Sequence, residues 1–199
     1  AFPLGSVEGC ASLAKIILPS TLSDIGDTFD GNWRCNKLAE YSVATSNAVF
    51  SSQDGVLFDK NKTYLIAYPC GNSRTSYTVP STVETIEADA FDGLMYLVTL
   101  NLPARFSQIT EYGVHPSHLY PYISGWKLTA INVPPQNLFF ASQDGALFSK
   151  DKTSLYFYPS AKVTSSYTVP ESVTNIYCEA FGGTLGLGKI VLSSKARFC

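Results

Sequence analysis

Charge is scarce in this chain of 199 residues: 15% of positions are charged, and 14 basic against 16 acidic residues leave a net charge of −2. A balance so even leaves no basic face to neutralise phosphates, which argues against nucleic acid or an anionic membrane as partner. Long apolar runs are missing too. Residues 13 to 18 are interrupted within a few positions, and nothing approaches the roughly 20 apolar residues of a membrane span, so no direct membrane insertion is expected. Methionine is reduced to Met95 and histidine to His115 and His118. The chain opens at Ala1-Phe2 with no basic-then-apolar leader, which reads as a mature form or a piece of a longer protein. What is plentiful is apolar: 45% hydrophobic residues supply a real core for one domain spanning 1–199.

Five cysteines, Cys10, Cys35, Cys70, Cys178 and Cys199, form no CxxC pair and no metal-ligand spacing. Cys10 and Cys35 each lie three residues before a leucine, Leu13 and Leu38. Two readings stay open at this point. They are small apolar residues stacked on one interior ladder, or a bridge between neighbouring turns.

The dominant signal is repetition. Residues 50 to 93 recur at 140 to 183 with an offset of 90 and no gap, identical at 23 of 44 positions. Beneath this duplication runs a shorter unit. A strand signature, apolar-x-x-apolar-x-apolar, appears as Leu13-Ala-Lys-Ile16-Ile-Leu18, Leu97-Val-Thr-Leu100-Asn-Leu102 and Leu128-Thr-Ala-Ile131-Asn-Val133, each followed by proline. Weaker copies bring the last apolar residues to positions 18, 43, 79, 102, 133, 169 and 192. The plain interval is about 23 residues, so the duplication is assigned to 43–133 and 133–199. Alternation within each segment marks short strands, and the proline ends them. A second signature follows, Pro-x-x-apolar-x-x-Ile, as in Pro80, Val83, Ile86 and Pro170, Val173, Ile176, and then an aromatic: Phe29, Phe91 or Phe181. Such a unit has too few apolar groups to fold alone and enough to stack.

The two intervals of 36 residues carry insertions at 50–69 and 140–159. Asp54-Gly55 and Asp144-Gly145 are hairpin-turn dipeptides between apolar runs, which predicts a β-hairpin or meander projecting from the solenoid edge. Calcium binding by Asp54 and Asp144 would need six or more oxygens, and few other carboxylates lie nearby. The interval of 31 residues holds His115, His118, Tyr120, Tyr122 and Trp126. A His-x-x-His without a third ligand is a poor metal site. The segment reads as an irregular loop, or as an aromatic contact loop in which Tyr120, Tyr122 and Trp126 meet a partner.

The linked order Leu-x-x-Ile-x-Leu-Pro, Pro-x-x-Val-x-x-Ile and Ala-Phe, with the Asp-Gly-x-Leu-Phe…Lys-Thr-x-Leu…Tyr-Pro insertion, resembles the BspA-type class of leucine-rich repeats over nearly the whole chain. The sequence departs from that pattern at 112–126, at the second rung Leu38–Val43 and at Ser193, which stands where proline is expected. The resemblance implies a leucine-rich-repeat right-handed solenoid, mainly β with little helix, of about seven rungs with two β-hairpin insertions. It also implies a secreted or cell-surface protein of host-associated bacteria or protozoan parasites, taking part in adhesion to host or matrix proteins such as fibronectin and fibrinogen.

The function expected is therefore a non-catalytic binding module for a protein or glycan, with a structural stalk presenting another domain, or an accessory domain of a surface enzyme, as the alternatives. The residues that alternate outward along the strands are Lys15 and Ile17, Glu40 and Ser42, Thr99 and Asn101, Ala130 and Asn132, and Lys189 and Val191. They mix charge, amide and apolar groups as a macromolecular partner requires. For an enzyme the sequence offers no Gly-x-Ser-x-Gly elbow, and Gly182 to Gly188 lacks the lysine of a phosphate loop. No catalytic, cofactor or metal residue is assigned. Asn61-Lys62-Thr63 is a formal glycosylation acceptor whose counterpart starts with Asp151.

Overall fold

A computed structural model of the chain describes residues 4–7, 9–26, 35–87, 90–91, 93–109, 127–178 and 180–198. Apart from one 3-10 turn, Leu4–Val7, the described elements are strands: β1 (Lys15–Leu18), β2 (Glu40–Val43), β3 (Phe50–Gln53), β4 (Val56–Asp59), β5 (Tyr64–Ala67), β6 (Ser76–Thr78), β7 (Thr85–Ile86), β8 (Thr99–Asn101), β9 (Gln108–Ile109), β10 (Ala130–Asn132), β11 (Phe140–Gln143), β12 (Ala146–Ser149), β13 (Ser154–Phe157), β14 (Tyr167–Thr168), β15 (Asn175–Ile176), β16 (Ile190–Val191) and β17 (Arg197–Phe198). They wind into a β-solenoid of about 6 turns. Seven strands of the first signature, β1, β2, β6, β8, β10, β14 and β16, each end within one residue of the expected last apolar position.

Stacking is by parallel pairing. On one face β1 pairs with β2, β6 and β10 flank β8, and β14 pairs with β16, all parallel. On the other face the strands that end the Pro-x-x-apolar-x-x-Ile signature, β7, β9 and β15, lie in parallel ladders, β5-β7-β9 and β13-β15-β17. The inward column of the first face reads Ile16, Tyr41, Tyr77, Leu100 and Ile131, all buried. Val83, Ile86, Val173 and Ile176 close the core from the second face. This is the period-2 expectation in practice: apolar inside, polar outside, with neighbours above and below completing each thin layer.

The insertions differ from expectation. They do not project from the edge; they are built into the solenoid. β3 and β4 form the hairpin, β4 and β5 are antiparallel with a register shift at Leu57/Phe58, and β5 then joins the second-face ladder through Tyr64↔Thr85. The second copy repeats every one of these pairings, with its shift at Leu147/Phe148. Val56, Leu57, Phe58, Leu65, Ile66 and Ala67 are all buried, as are Ala146, Leu147, Phe148 and Leu155. The physical reason is in the residues: Val-Leu-Phe and Leu-Ile-Ala are continuous apolar runs, the pattern of strands covered on both faces. Behind each hairpin sits an aromatic trio. Tyr68, Tyr77 and Phe91 have centroids 5.0, 5.5 and 6.4 Å apart. Tyr158, Tyr167 and Phe181 repeat the arrangement at 4.5, 5.5 and 6.0 Å.

The cysteines do not form the Cys10–Cys35 stack. Cys10 is exposed, whereas Cys35 is buried with its thiol donating to the Val7 carbonyl at 3.0 Å. The partner on the interior ladder is Cys70, whose thiol donates to the Cys35 carbonyl at 2.9 Å.

Burial of these tyrosines sets an alkaline limit on stability. Desolvation pushes Tyr68, Tyr156 and Tyr167 up to about 12 and Tyr77 higher still. Arg74 beside Tyr68 pulls in the opposite direction without reversing the shift. Because the folded chain holds these protons while the unfolded chain, with tyrosines near about 10, releases them, their contribution is complete below that pH. It is lost as pH rises through the folded values. Thermal scans are expected to show a flat transition temperature to about pH 10 and a steep fall by about pH 12, with these four tyrosines ionising together with unfolding. Ionisation of these four in the folded state, well before unfolding and resolved by single Tyr→Phe variants, would refute this account.

Candidate binding face

The outward side of the first sheet carries the residues expected to meet a partner, and strand register decides which of them meet each other. Lys15 lies opposite Glu40 and Ile17 opposite Ser42. The Lys15 ammonium and Glu40 carboxylate are 2.9 Å apart, both side chains nearly half exposed, so this pair contributes a few tenths to about 1 kcal/mol. Ile17 stands beside it at 71% exposure, an isolated apolar group on an otherwise polar surface.

In the middle of the face Thr99 pairs with Ala130 and Asn101 with Asn132. Two residues that sequence reasoning left out complete this panel: Ser76 and Thr78 on β6, opposite Thr99 and Asn101. Their signal was present, since Ser76-Tyr77-Thr78 alternates as the stronger copies do. The second column becomes a one-way relay. Asn132 Nδ2 donates to Asn101 Oδ1 at 2.8 Å, and Asn101 Nδ2 donates to Thr78 Oγ1 at 3.2 Å. Lys189 is exposed beyond, and Val191 lies opposite Thr168. Tyr120, Tyr122 and Trp126 lie outside the described residues.

The columns are not continuous across the face, contrary to the expectation of one exposed sheet. The tip of each hairpin is wedged into it. Tyr41 N–H donates to the Gly55 carbonyl at 2.8 Å, and Ile131 N–H to the Gly145 carbonyl at 2.9 Å. Each tip thereby takes the place of a strand after β2 and after β10. Asp54 and Gly55 both have positive φ (55 and 81), as do Asp144 and Gly145 (52 and 80), the geometry of the tight hairpin turn that Asp-Gly favours. A cation pins each tip from the following turn. Arg74 donates to the Asp54 carbonyl at 2.5 Å and lies 3.7 Å from its carboxylate. Lys162 donates to the Asp144 carbonyl and sits 5.7 Å above the Tyr158 ring. The two cations occupy different positions of the repeat, so the same contact is reached by two routes.

Below each tip, a buried asparagine fixes the hairpin base, a feature sequence reasoning missed. Asn47 donates to the carbonyls of Pro19 and Leu22, both at 2.8 Å, and accepts from the N–H groups of Val49 and Phe50 at 2.8 and 2.7 Å. Asn137 makes the same four bonds, to Pro103 and Phe106 at 3.1 and 2.8 Å and from Phe139 and Phe140 at 2.8 and 2.7 Å. Lys62 and Lys152 brace the hairpin side by reaching Gln53 and Gln143 at 2.7 and 2.9 Å. The Gln, Asp, Gly and Lys identities of the duplication are thus accounted for by architecture. In this geometry Asp54 and Asp144 serve the hairpin turns through their backbone, each with positive φ and a carbonyl held by a cation. Among the described residues no group of three His, Cys, Asp or Glu is arranged to hold a metal, and no helix is long and apolar enough to cross a membrane.

The face is therefore three panels separated by two wedges: a charged panel on β1 and β2, an uncharged hydrogen-bonding panel on β6, β8 and β10, and a panel on β14 and β16 with Lys189 and Val191. Its titratable groups are dispersed among the outer panels and the wedges.

Comparison with known proteins agrees with this architecture. Residues 66–136 match the family described as BspA type Leucine rich repeat region. The solved structure of the pneumococcal vaccine antigen PcpA aligns over 93% of this chain and 35% of its own, at 25% identity and a TM-score of 0.54. A leucine-rich repeat protein from Eubacterium ventriosum aligns over 92% and 49%, at 18% identity and 0.55. A leucine rich cell surface protein from Faecalibacterium prausnitzii aligns over 92% and 48%, at 19% identity and 0.50; these last two speak for the fold alone. The chain spans half or less of the length of each of these structures. No curated protein matches the sequence. The chain is a β-solenoid with the fold of leucine-rich repeat proteins, and within it residues 66–136 match the BspA-type repeat.

Proposed function

We propose that this chain is a non-catalytic binding module of a secreted or cell-surface protein, taking part in adhesion to a host or matrix protein through the outward face of its first sheet. The observation that carries the reading is the face itself. Three panels present register-paired outward side chains on a stacked backbone, and repeat proteins recognise partners with such extended surfaces. A leucine-rich cell-surface protein and a pneumococcal antigen among the structures with this fold favour a surface location. Ile17 is a natural apolar anchor because it projects beside polar neighbours that can form a rim.

The test is binding of the purified chain to immobilised fibronectin and fibrinogen. A whole-face variant combining Ile17→Asp, Thr99→Arg and Asn132→Arg is expected to fold and to lose affinity by tenfold or more, about 1.4 kcal/mol. An unchanged affinity in that variant would remove the sheet face from the reading. A chain that binds neither protein would favour a spacer that displays another domain.

A further inference from the structure

We infer that the middle panel of the face is a reader of hydroxyl groups and takes an uncharged glycan. The inference rests on the sheet face being the binding surface, and it adds the chemistry of the ligand. It starts from charge. The outer panels carry Lys15, Glu40 and Lys189, and the wedges carry Asp54 with Arg74 and Asp144 with Lys162. Between them the outward residues of β6, β8 and β10 have no ionisable group. A ligand centred there gains nothing from charge and would have to strip water from one if it carried any.

The panel also lacks what a protein partner uses. Hot spots need a buried aromatic, arginine or aliphatic anchor in a pocket, and here the outward groups are hydroxyls, amides and the Ala130 methyl. Those groups suit a polyol. Each primary amide supplies an acceptor and two donors, and each hydroxyl supplies both, which matches paired sugar hydroxyls that also donate and accept. The relay from Asn132 through Asn101 to Thr78 holds the amides in one orientation and polarises them along one direction. The Asn132 carbonyl oxygen and the Thr78 hydroxyl proton remain at its two ends.

A second feature borders the panel. Tyr96 and Lys127 lie three residues before Thr99 and Ala130, in the same register, and Lys127 Nζ sits 5.4 Å from the centroid of the Tyr96 ring. Tyr96 is 38% exposed. An exposed aromatic ring beside the panel offers an apolar platform for the C–H face of one unit of an oligosaccharide whose other units lie over the panel.

The glycan is one carried on a glycoprotein, since the face it occupies is read as meeting a host or matrix protein, and one titration series tests this. The intact chain is titrated with mannopentaose, with N-acetylchitotriose, with heparin, and with fibronectin before and after enzymatic removal of its glycans. Binding to a neutral oligosaccharide shows that the panel reads the glycan itself, and binding to native but not deglycosylated fibronectin supports the carried source. In either case Asn101→Ala with Asn132→Ala is expected to weaken binding by tenfold or more, Tyr96→Ala to weaken it several-fold, and Lys195→Ala, remote from the panel, to leave it unchanged. Asn101 is half-buried and Asn132 exposed, so the thermal transition should move little. A preference for heparin overturns the inference. So does equal affinity for deglycosylated fibronectin with no effect of the asparagine changes, an outcome that leaves the protein-binding reading intact. Failure to bind any of these probes overturns the inference, and if immobilised fibrinogen is not bound either, it overturns both.

Discussion

Replacing Asn137 with alanine is expected to lower the stability of the chain by about 3–5 kcal/mol, a loss that combines several buried hydrogen-bonding groups left without partners. Asn137 is fully buried, and its amide uses both donors and both acceptor positions. Truncation strands two carbonyls, of Pro103 and Phe106, on one side and two N–H groups, of Phe139 and Phe140, on the other. Water can reach some of them, because Leu138 and Phe139 are 76% and 52% exposed, and that keeps the cost below the sum of four full penalties. The side chain also joins one turn of the solenoid to the base of the next turn's hairpin, so its loss uncouples two units whose stability depends on stacking. For a chain of this size the transition temperature should fall by roughly 10 °C or more. Asn137→Asp separates bonding from volume: it keeps the shape and the acceptors but loses both donors, and at neutral pH it buries a charge, so it should cost at least as much as alanine. Asn47→Ala should behave in the same way. A drop of only a degree or two for both asparagines, measured by thermal circular dichroism, would show that these bonds are replaced by water at little cost.

These asparagines mark where sequence reasoning stopped. The rungs were legible because alternation of apolar residues followed by proline is a local signal, and all seven first-sheet strands stand where it places them. The hairpin turns were legible for the same reason: Asp-Gly specifies a conformation of two residues. What was not legible is long-range. Asn47 reaches Pro19 and Leu22 in the turn before, and nothing within a few residues distinguishes a buried asparagine from an exposed one. It lay, moreover, just ahead of the stretch that defined the duplication, although Asn137 recurs at the same offset of 90. The placement of the hairpins failed on a different point. Their Asp-Gly and lysine residues looked like surface, while the continuous runs Val56-Leu57-Phe58 and Leu65-Ile66-Ala67 already required cover on both sides. Once that cover is recognised, the tips must enter the first sheet. The outward residues then form separate panels, and Ser76 and Thr78 become part of the middle one.

Gly145→Val should be nearly as damaging as the asparagine change, and for a reason that ties the wedge to the binding face. Gly145 has φ +80, a left-handed conformation that costs a β-branched residue about 1–2 kcal/mol or more. A Cβ there would also lie 2.9 Å from the Thr129 carbonyl oxygen and 3.0 Å from Ala130 Cα, both backbone atoms that cannot swing away. Either the tip withdraws or β10 shifts. Withdrawal breaks the bond from Ile131 N–H to the Gly145 carbonyl and leaves a fully buried residue's donor unpaired, a further loss of roughly 1–3 kcal/mol. The first copy supplies a graded comparison. At Gly55 the same added atom would meet the Ala39 carbonyl oxygen at 3.1 Å and Glu40 Cα at 3.3 Å, so Gly55→Val should be milder, and Gly145→Ala should fall between wild type and Gly145→Val. Because Ala130 and Asn132 flank the second wedge, Gly145→Val should also disturb the middle panel, whereas Gly55→Val displaces Glu40 on the charged one. Thermal unfolding of the three variants checks the order. If Gly55→Val proves as costly as Gly145→Val, the closer approach of the second tip is not what decides the penalty, and the left-handed backbone common to both tips must dominate.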